Sequence, residues 1–157
     1  MEDCLVSAHD PEGVGLAAPQ VGKSLQLFLI RQTPRSPTLV FINPVIEKFY
    51  DDPNEEKPED GKEKVEESKS IKLEGCLSLY SIWGNVKRHP ALLLSYLDES
   101  GKMHKKKFSG FIAIIIQHEW DHLQGILFTK RVLEQNRKLY KSTINEAGES
   151  EFEELEI

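Results

Sequence analysis

The sequence has only two cysteines in 157 residues, Cys4 and Cys76, too few for a disulfide framework and in keeping with a reducing compartment. It also lacks any run of the roughly 18 apolar residues that a membrane span needs. Its longest apolar run, Phe111 to Ile116, has six residues, which suits the start of a buried helix. No basic segment followed by an apolar one opens the chain, so secretion is not expected. Positive charge is in deficit as well: the formal net charge of −6 argues against a broad nucleic-acid-binding face. These absences leave the expectation of one soluble, intracellular domain, long enough to bury a core without cross-links.

The negative charge is concentrated. Asp51 to Ser70 carries nine acidic residues and four lysines, with two prolines and almost no apolar side chains. Such a stretch cannot bury enough surface to fold alone, and a flexible surface insertion is expected at 51–70, with an acidic arm for a basic partner as the alternative. Elsewhere, Met1 to Glu12 has room for one or two helical turns. Gly13 to Gly22 reads either as a loop that a substrate lies against or as a tight turn into a strand. Leu25 to Arg31 and Thr38 to Ile46 read as strands parted by Pro34 and Pro37, with a bend or an edge position at Asn43-Pro44. Ala91 to Leu97 and Met103 to Phe108 flank the turn Asp98-Glu99-Ser100-Gly101 and form an antiparallel hairpin, with Lys105, Lys106 and Lys107 as a solvated edge. Ser109 caps the helix that follows and Gly125 stops it. Leu133 to Ile144 reads as a second helix, and 146–157 as a loose acidic tail.

Chemistry gathers in Gln117-His118-Glu119-Trp120-Asp121-His122-Leu123. His118 and His122 are four residues apart, so on a helix both imidazoles reach one cation. Glu119 then stands beside that cation without ligating it, placed to take a proton from water. Chance meeting on a core helix is the bland alternative, and the spacing alone says nothing about the substrate. A hydrolytic site uses three protein ligands and keeps one position open. Cys76 is the best third ligand, because a thiolate with two imidazoles suits catalytic zinc or iron, whereas Cys4 reads as a small buried hydrophobe. His9, His89 and His104 have no metal-type spacing and fit surface positions better.

Three stretches, Gly13-Val14-Gly15-Leu16-Ala17-Ala18-Pro19-Gln20, Glu74-Gly75-Cys76-Leu77-Ser78 and Gln117 to Leu123, together resemble the three ordered motifs of the peptide deformylases. The resemblance runs from about Gly13 to Val132 and takes in Asn43-Pro44, Gly84-Asn85-Val86-Lys87-Arg88 and the hairpin. It implies removal of the formyl group from the N-terminal methionine of new polypeptides, releasing formate. One divalent ion would be held by Cys76, His118 and His122, with iron(II) first and zinc or nickel as alternatives. Glu119 would move the proton, while the Gln20 amide and the Leu77 backbone N–H face the developing oxyanion. An extended peptide would pair with Val14, Gly15 and Gly75. Phe111, Ile114 and Ile115 would border the methionine pocket with Val14 opposite, although ordinary helix core explains them equally well. Gln117 and Asp121 would support the ligand imidazoles, with Glu74 and Arg88 as an ion pair nearby. The implied fold is α+β: antiparallel β-sheets packed around a central metal-binding helix, with a C-terminal helix, in a single domain over 1–157. The partners are formyl-methionine nascent peptides, with a transient ribosome contact compatible and no direct nucleic acid or membrane; oligomeric state stays open. The location is a bacterial cytoplasm or an organelle matrix.

Two departures temper the resemblance. About thirty residues that deformylases carry before the first motif have no counterpart here, so the chain is either naturally short or part of a longer one, with apolar surface exposed and stability lowered. After Ser78 the family has an aliphatic residue, proline and often glycine, where this chain has Leu79, Tyr80 and Ser81. A related metal amidase acting on another N-acyl group, and a weakly active homologue serving as an interaction module, therefore remain as alternatives.

Overall fold

The computed structural model describes residues 13–55, 73–145 and 149–156. The suggested turns of Met1 to Glu12, with Cys4 and His9, lie outside the described residues, as does 56–70 of the acidic stretch. Along the chain come β1 (Gly15–Ala17), a short 3-10 turn (Ala18–Val21), β2 (Leu27–Ile30), β3 (Leu39–Tyr50), β4 (Leu73–Cys76), β5 (Leu79–Asn85), β6 (Ala91–Leu97) and β7 (Met103–Ser109). Then follow α1 (Phe111–Leu123), α2 (Phe128–Glu134), β8 (Leu139–Ile144) and β9 (Ser150–Leu155). One sheet has the order β1-β2-β3-β6-β7 and the other β4-β5-β8-β9; every pairing is antiparallel. The α+β architecture agrees with the sequence reading.

The strands form where that reading places them. β3 bends at Asn43-Pro44, where Asn43 takes a φ of 48° and the register slips between Ile42 and Val45. Proline has no N–H to give the ladder, so the strand bulges there and then runs on to Tyr50. The β6–β7 hairpin closes through Gly101, whose φ of 79° suits glycine, and Asp98 accepts from the N–H groups of Ser100 and Lys102.

α1 lies on the first sheet and buries Ala113, Ile115, Ile116 and Leu123 against Phe28, Ile30 and Leu94. Its cap differs from expectation: Ser109 still belongs to β7, and Gly110, with a φ of 71°, opens the helix without a side-chain cap. The stop is as expected, with Gly125 at a φ of 71°.

The second helix is earlier and shorter than the sequence suggests. α2 ends at Glu134, and Leu139–Ile144 is strand β8 rather than helix. The chain reverses at Asn136, whose φ is 52°, while Arg137 N–H donates to the Val132 carbonyl. Leu139 is thereby buried with Phe128 and Val132. Instead of fraying, 150–155 pairs with β8 as β9, aided by the contact of Lys138 with Glu154 at 2.6 Å.

Candidate active site

Three elements bring the reactive groups together. β4 supplies Glu74, Gly75 and Cys76, α1 supplies His118, Glu119 and His122, and the 3-10 turn after β1 supplies Gln20. Cys76 Sγ lies 3.1 Å from His122 Nε2. The donor atoms of Cys76, His118 and His122 all fall within 4.8 Å of one another, a spacing that one cation can span. His89 and His104 are engaged elsewhere, with Asp51 at 3.0 Å and Asp98 at 2.6 Å.

The thiol is prepared for ligation. Burial alone would push it up, but hydrogen bonds with His118 and His122 outweigh that and hold it at about 5. Ser78 N–H points at the same sulfur from 3.5 Å, and the Gln20 amide nitrogen from 3.6 Å. Gln20 is fixed at both ends: its Oε1 accepts from Ala17 N–H at 2.8 Å and its Nε2 donates to Ser78 Oγ at 3.0 Å. Leu77 packs its side chain with Leu16 and Leu29, which pins β4 to the first sheet.

Behind the ligands runs a chain of charges. His118 Nδ1 lies 3.1 Å from Glu74 Oε2, leaving Nε2 for the cluster. Arg88 grips both Glu74 oxygens, from Nε at 2.9 Å and Nη2 at 3.0 Å, and reaches Asp121 Oδ2 from Nη1 at 2.6 Å. Arg131 on α2 closes the far end, its Nη2 2.7 Å from Asp121 Oδ1. Burial works against the Glu74 carboxylate, yet its bonds to His118 and Arg88 keep its pKa below the usual value. The expected Glu74–Arg88 pair is therefore present. The carboxylate that takes the imidazole N–H is Glu74, whereas Asp121 serves the two arginines and Gln117 ties the His89 backbone to α1. Arg131 escaped the sequence reading, which held no signal for it beyond a basic residue after the motif.

Glu119 is 4% exposed, and burial, opposed by the nearby His118 and His122, raises its pKa to about 7. Its Oε2 is buried without a hydrogen-bond partner among the described residues. A Cβ on Gly15 would stand 2.2 Å from its Oε1, so that glycine is what lets β1 approach the carboxylate. Ile115, 4% exposed, belongs to the core, Ile114 is half-buried, and Phe111 is 47% exposed at the start of α1. Val14 packs against the core from outside. A soft anion, two imidazoles and an orphaned buried carboxylate oxygen form a donor set that fits a divalent ion with an open position.

A family model described as polypeptide deformylase matches residues 1–138. The chain is 41% identical over 138 residues to a peptide deformylase of Borreliella burgdorferi, covering 87% of this chain and 73% of that protein. It is 38% identical over 141 residues to peptide deformylase 2 of Prochlorococcus marinus, covering 87% of this chain and 61% of that one. Of a relative from Karelsulcia muelleri it spans 59%, so it reaches about three fifths of the length of some curated relatives. Among solved structures it resembles a peptide deformylase from Synechococcus elongatus in complex with actinonin (TM-score 0.62, 37% identity, 77% of this chain and 59% of that one). It also resembles the enzyme from Thermus thermophilus (TM-score 0.63, 36% identity, 83% of this chain and 68% of that one). With the match spanning residues 1–138, from before the first motif to beyond α2, this chain belongs to the polypeptide deformylase family.

Proposed function

We propose that this chain removes the formyl group from the N-terminal formyl-methionine of new polypeptides and releases formate. The observation that carries the reading is the buried Glu119 carboxylate, with one oxygen unpartnered, set against Gly15 and next to the Cys76–His118–His122 cluster. Those three residues would hold one divalent ion, iron(II) first with zinc or nickel as alternatives, and the ion would supply Lewis acidity and activate water at neutral pH.

The chain's own groups do the rest. With a pKa near 7, Glu119 accepts the proton of the attacking water and later returns it to the amine nitrogen as the C–N bond breaks. Gln20 Nε2, held in place from both ends, and the Leu77 backbone N–H are assigned to the oxyanion that develops on the formyl oxygen. The peptide lies between two strand edges. Val14 turns its carbonyl toward Arg31 N–H at 2.8 Å, so by strand alternation Gly15 turns its own N–H and C=O to the open edge of β1. Gly75 lies on β4, an edge strand of the other sheet, and is assigned to the peptide's other side. Main-chain pairing of this kind accepts varied sequences and leaves the methionine side chain to the apolar surface of Val14 and Ile114. The setting is a compartment where formylated chains are made, a bacterial cytoplasm or an organelle matrix.

Formate release from a formyl-methionine tripeptide by anaerobically prepared, iron(II)-loaded protein tests this. Wild type is expected to turn over, and Glu119→Ala to lose about 10²–10⁴-fold in kcat while keeping one equivalent of metal. Bound metal without formate from wild type would refute the reading. The departure at Leu79–Ser81, with Tyr80 91% exposed, favours the amidase alternative specifically, and faster turnover of acetyl-methionine than of formyl-methionine peptides would establish it.

A further inference from the structure

Gly75 and Trp83 are paired across β4 and β5, and the indole occupies the space above the glycine: a Cβ on Gly75 would lie 2.9 Å from its Cζ3 and 3.0 Å from its Cε3. The ring is held from its other side by the β8–β9 hairpin. Its Nε1 donates to Ser142 Oγ at 3.1 Å, and Phe152 meets it edge to face with centroids 5.9 Å apart. Ser142 and Phe152 both lie beyond residue 138, where the family match ends. A hairpin beyond the residues that the family model matches thus sets a ring that touches the strand proposed to receive the peptide.

We propose that Trp83, positioned by Ser142 and Phe152, selects the side chain of the residue after formyl-methionine and favours aromatic and large apolar ones. The inference rests on the peptide-binding reading above. Glu74 points inward to Arg88 and His118, so Gly75, next along the strand, presents the opposite face, where Trp83 stands. A peptide added to the β4 edge alternates in the same way. Sending its methionine toward α1 sends the following side chain to the Trp83 face. The residue opposite Gly75 would normally meet a side chain on β4 before reaching β5. Glycine puts nothing in the way, so a large side chain leans across it onto the indole, which then has an aromatic neighbour on each side.

Two measurements on the metal-loaded protein decide the matter: kcat/KM for formyl-Met-Phe-Ala against formyl-Met-Ala-Ala, and calorimetric binding of the product peptides Met-Phe-Ala and Met-Ala-Ala. Wild type is expected to favour the phenylalanine peptide by about 3- to 10-fold, the size of one aromatic contact. Trp83→Ala is expected to bring the ratio near one, and Phe152→Ala, on the exposed edge strand, to lower it partway. If Trp83 merely covers Gly75, both peptides lose by one common factor, and an unchanged ratio overturns the proposal. A ratio near one in wild type overturns it too. If no formate appears but the binding ratio holds and collapses in Trp83→Ala, the proposal stands and only the hydrolytic reading falls; binding of neither peptide sinks both.

Discussion

Gly15 and Glu119 are 104 positions apart in the chain yet share one volume, because a methyl group on residue 15 would come within 2.2 Å of the carboxylate. Gly15→Ala is therefore expected to displace Glu119 and cost about 10²-fold in kcat, with metal content unchanged by elemental analysis; full activity would mean the carboxylate has room to spare. Ser81 makes the opposite case. Its φ of 61° lies where a side chain is strained, and Ser81→Gly is expected to stabilise the fold by about 0.5–1 kcal/mol, read as a rise of roughly 1–4 °C in Tm. That strain falls where the sequence departs from the deformylase pattern. Side-chain chemistry at fixed spacing was legible: the H-E-x-x-H stretch and Cys76 pointed to the cluster that the fold assembles. The Glu74 bond to His118 and the pair of arginines on Asp121 were less so, because such contacts depend on which elements meet, and residue order alone does not fix that.

α2 illustrates how such a meeting matters. It is a short helix, Phe128–Glu134, whose buried Phe128 and Val132 seat it on the second sheet, and its Arg131 holds the Asp121 carboxylate that Arg88 also grips. Through Arg88 and Glu74 the same chain ends on His118. Arg131→Met is expected to loosen this support and weaken metal retention by about 10-fold, the lower end for outer groups of a metal site, measured by chelator competition. Because Arg131 is 30% exposed and Asp121 keeps Arg88, the stability loss should be only about 1 kcal/mol. An unaltered metal affinity would show that the chain of charges is mere packing. The sequence reading placed a second helix at Leu133 to Ile144. The left-handed turn at Asn136 and the partner strand β9 decided otherwise, and both lie outside any local periodicity. β9 itself was hidden by its glutamates, since only Leu155 packs on the core while Phe152, 47% exposed, meets Trp83 on the opposite face.

Across the molecule the cluster joins two halves. Cys76 comes from β4, in the four-stranded sheet, and His118 and His122 come from α1, which packs on the five-stranded one. Leu77 against Leu16 and Leu29 is a second tie between the same halves, made only of apolar contact. An ion held by all three donors would close the gap between the sheets and bind the folded state far better than the unfolded one, so its binding energy adds directly to stability. Free metal at about 100 times its dissociation constant contributes about 2.7 kcal/mol, which in a chain of this size raises Tm by roughly 5–10 °C. Calorimetry under anaerobic conditions is expected to show that increment in wild type, its loss on chelation, and its absence in Cys76→Ser with or without metal. The variant separates the clasp from a general salt effect, since only the thiolate from the second sheet has changed. Equal melting temperatures for loaded and stripped wild type would mean that the two sheets are held by packing alone and that the three donors, close as they are, do not share an ion.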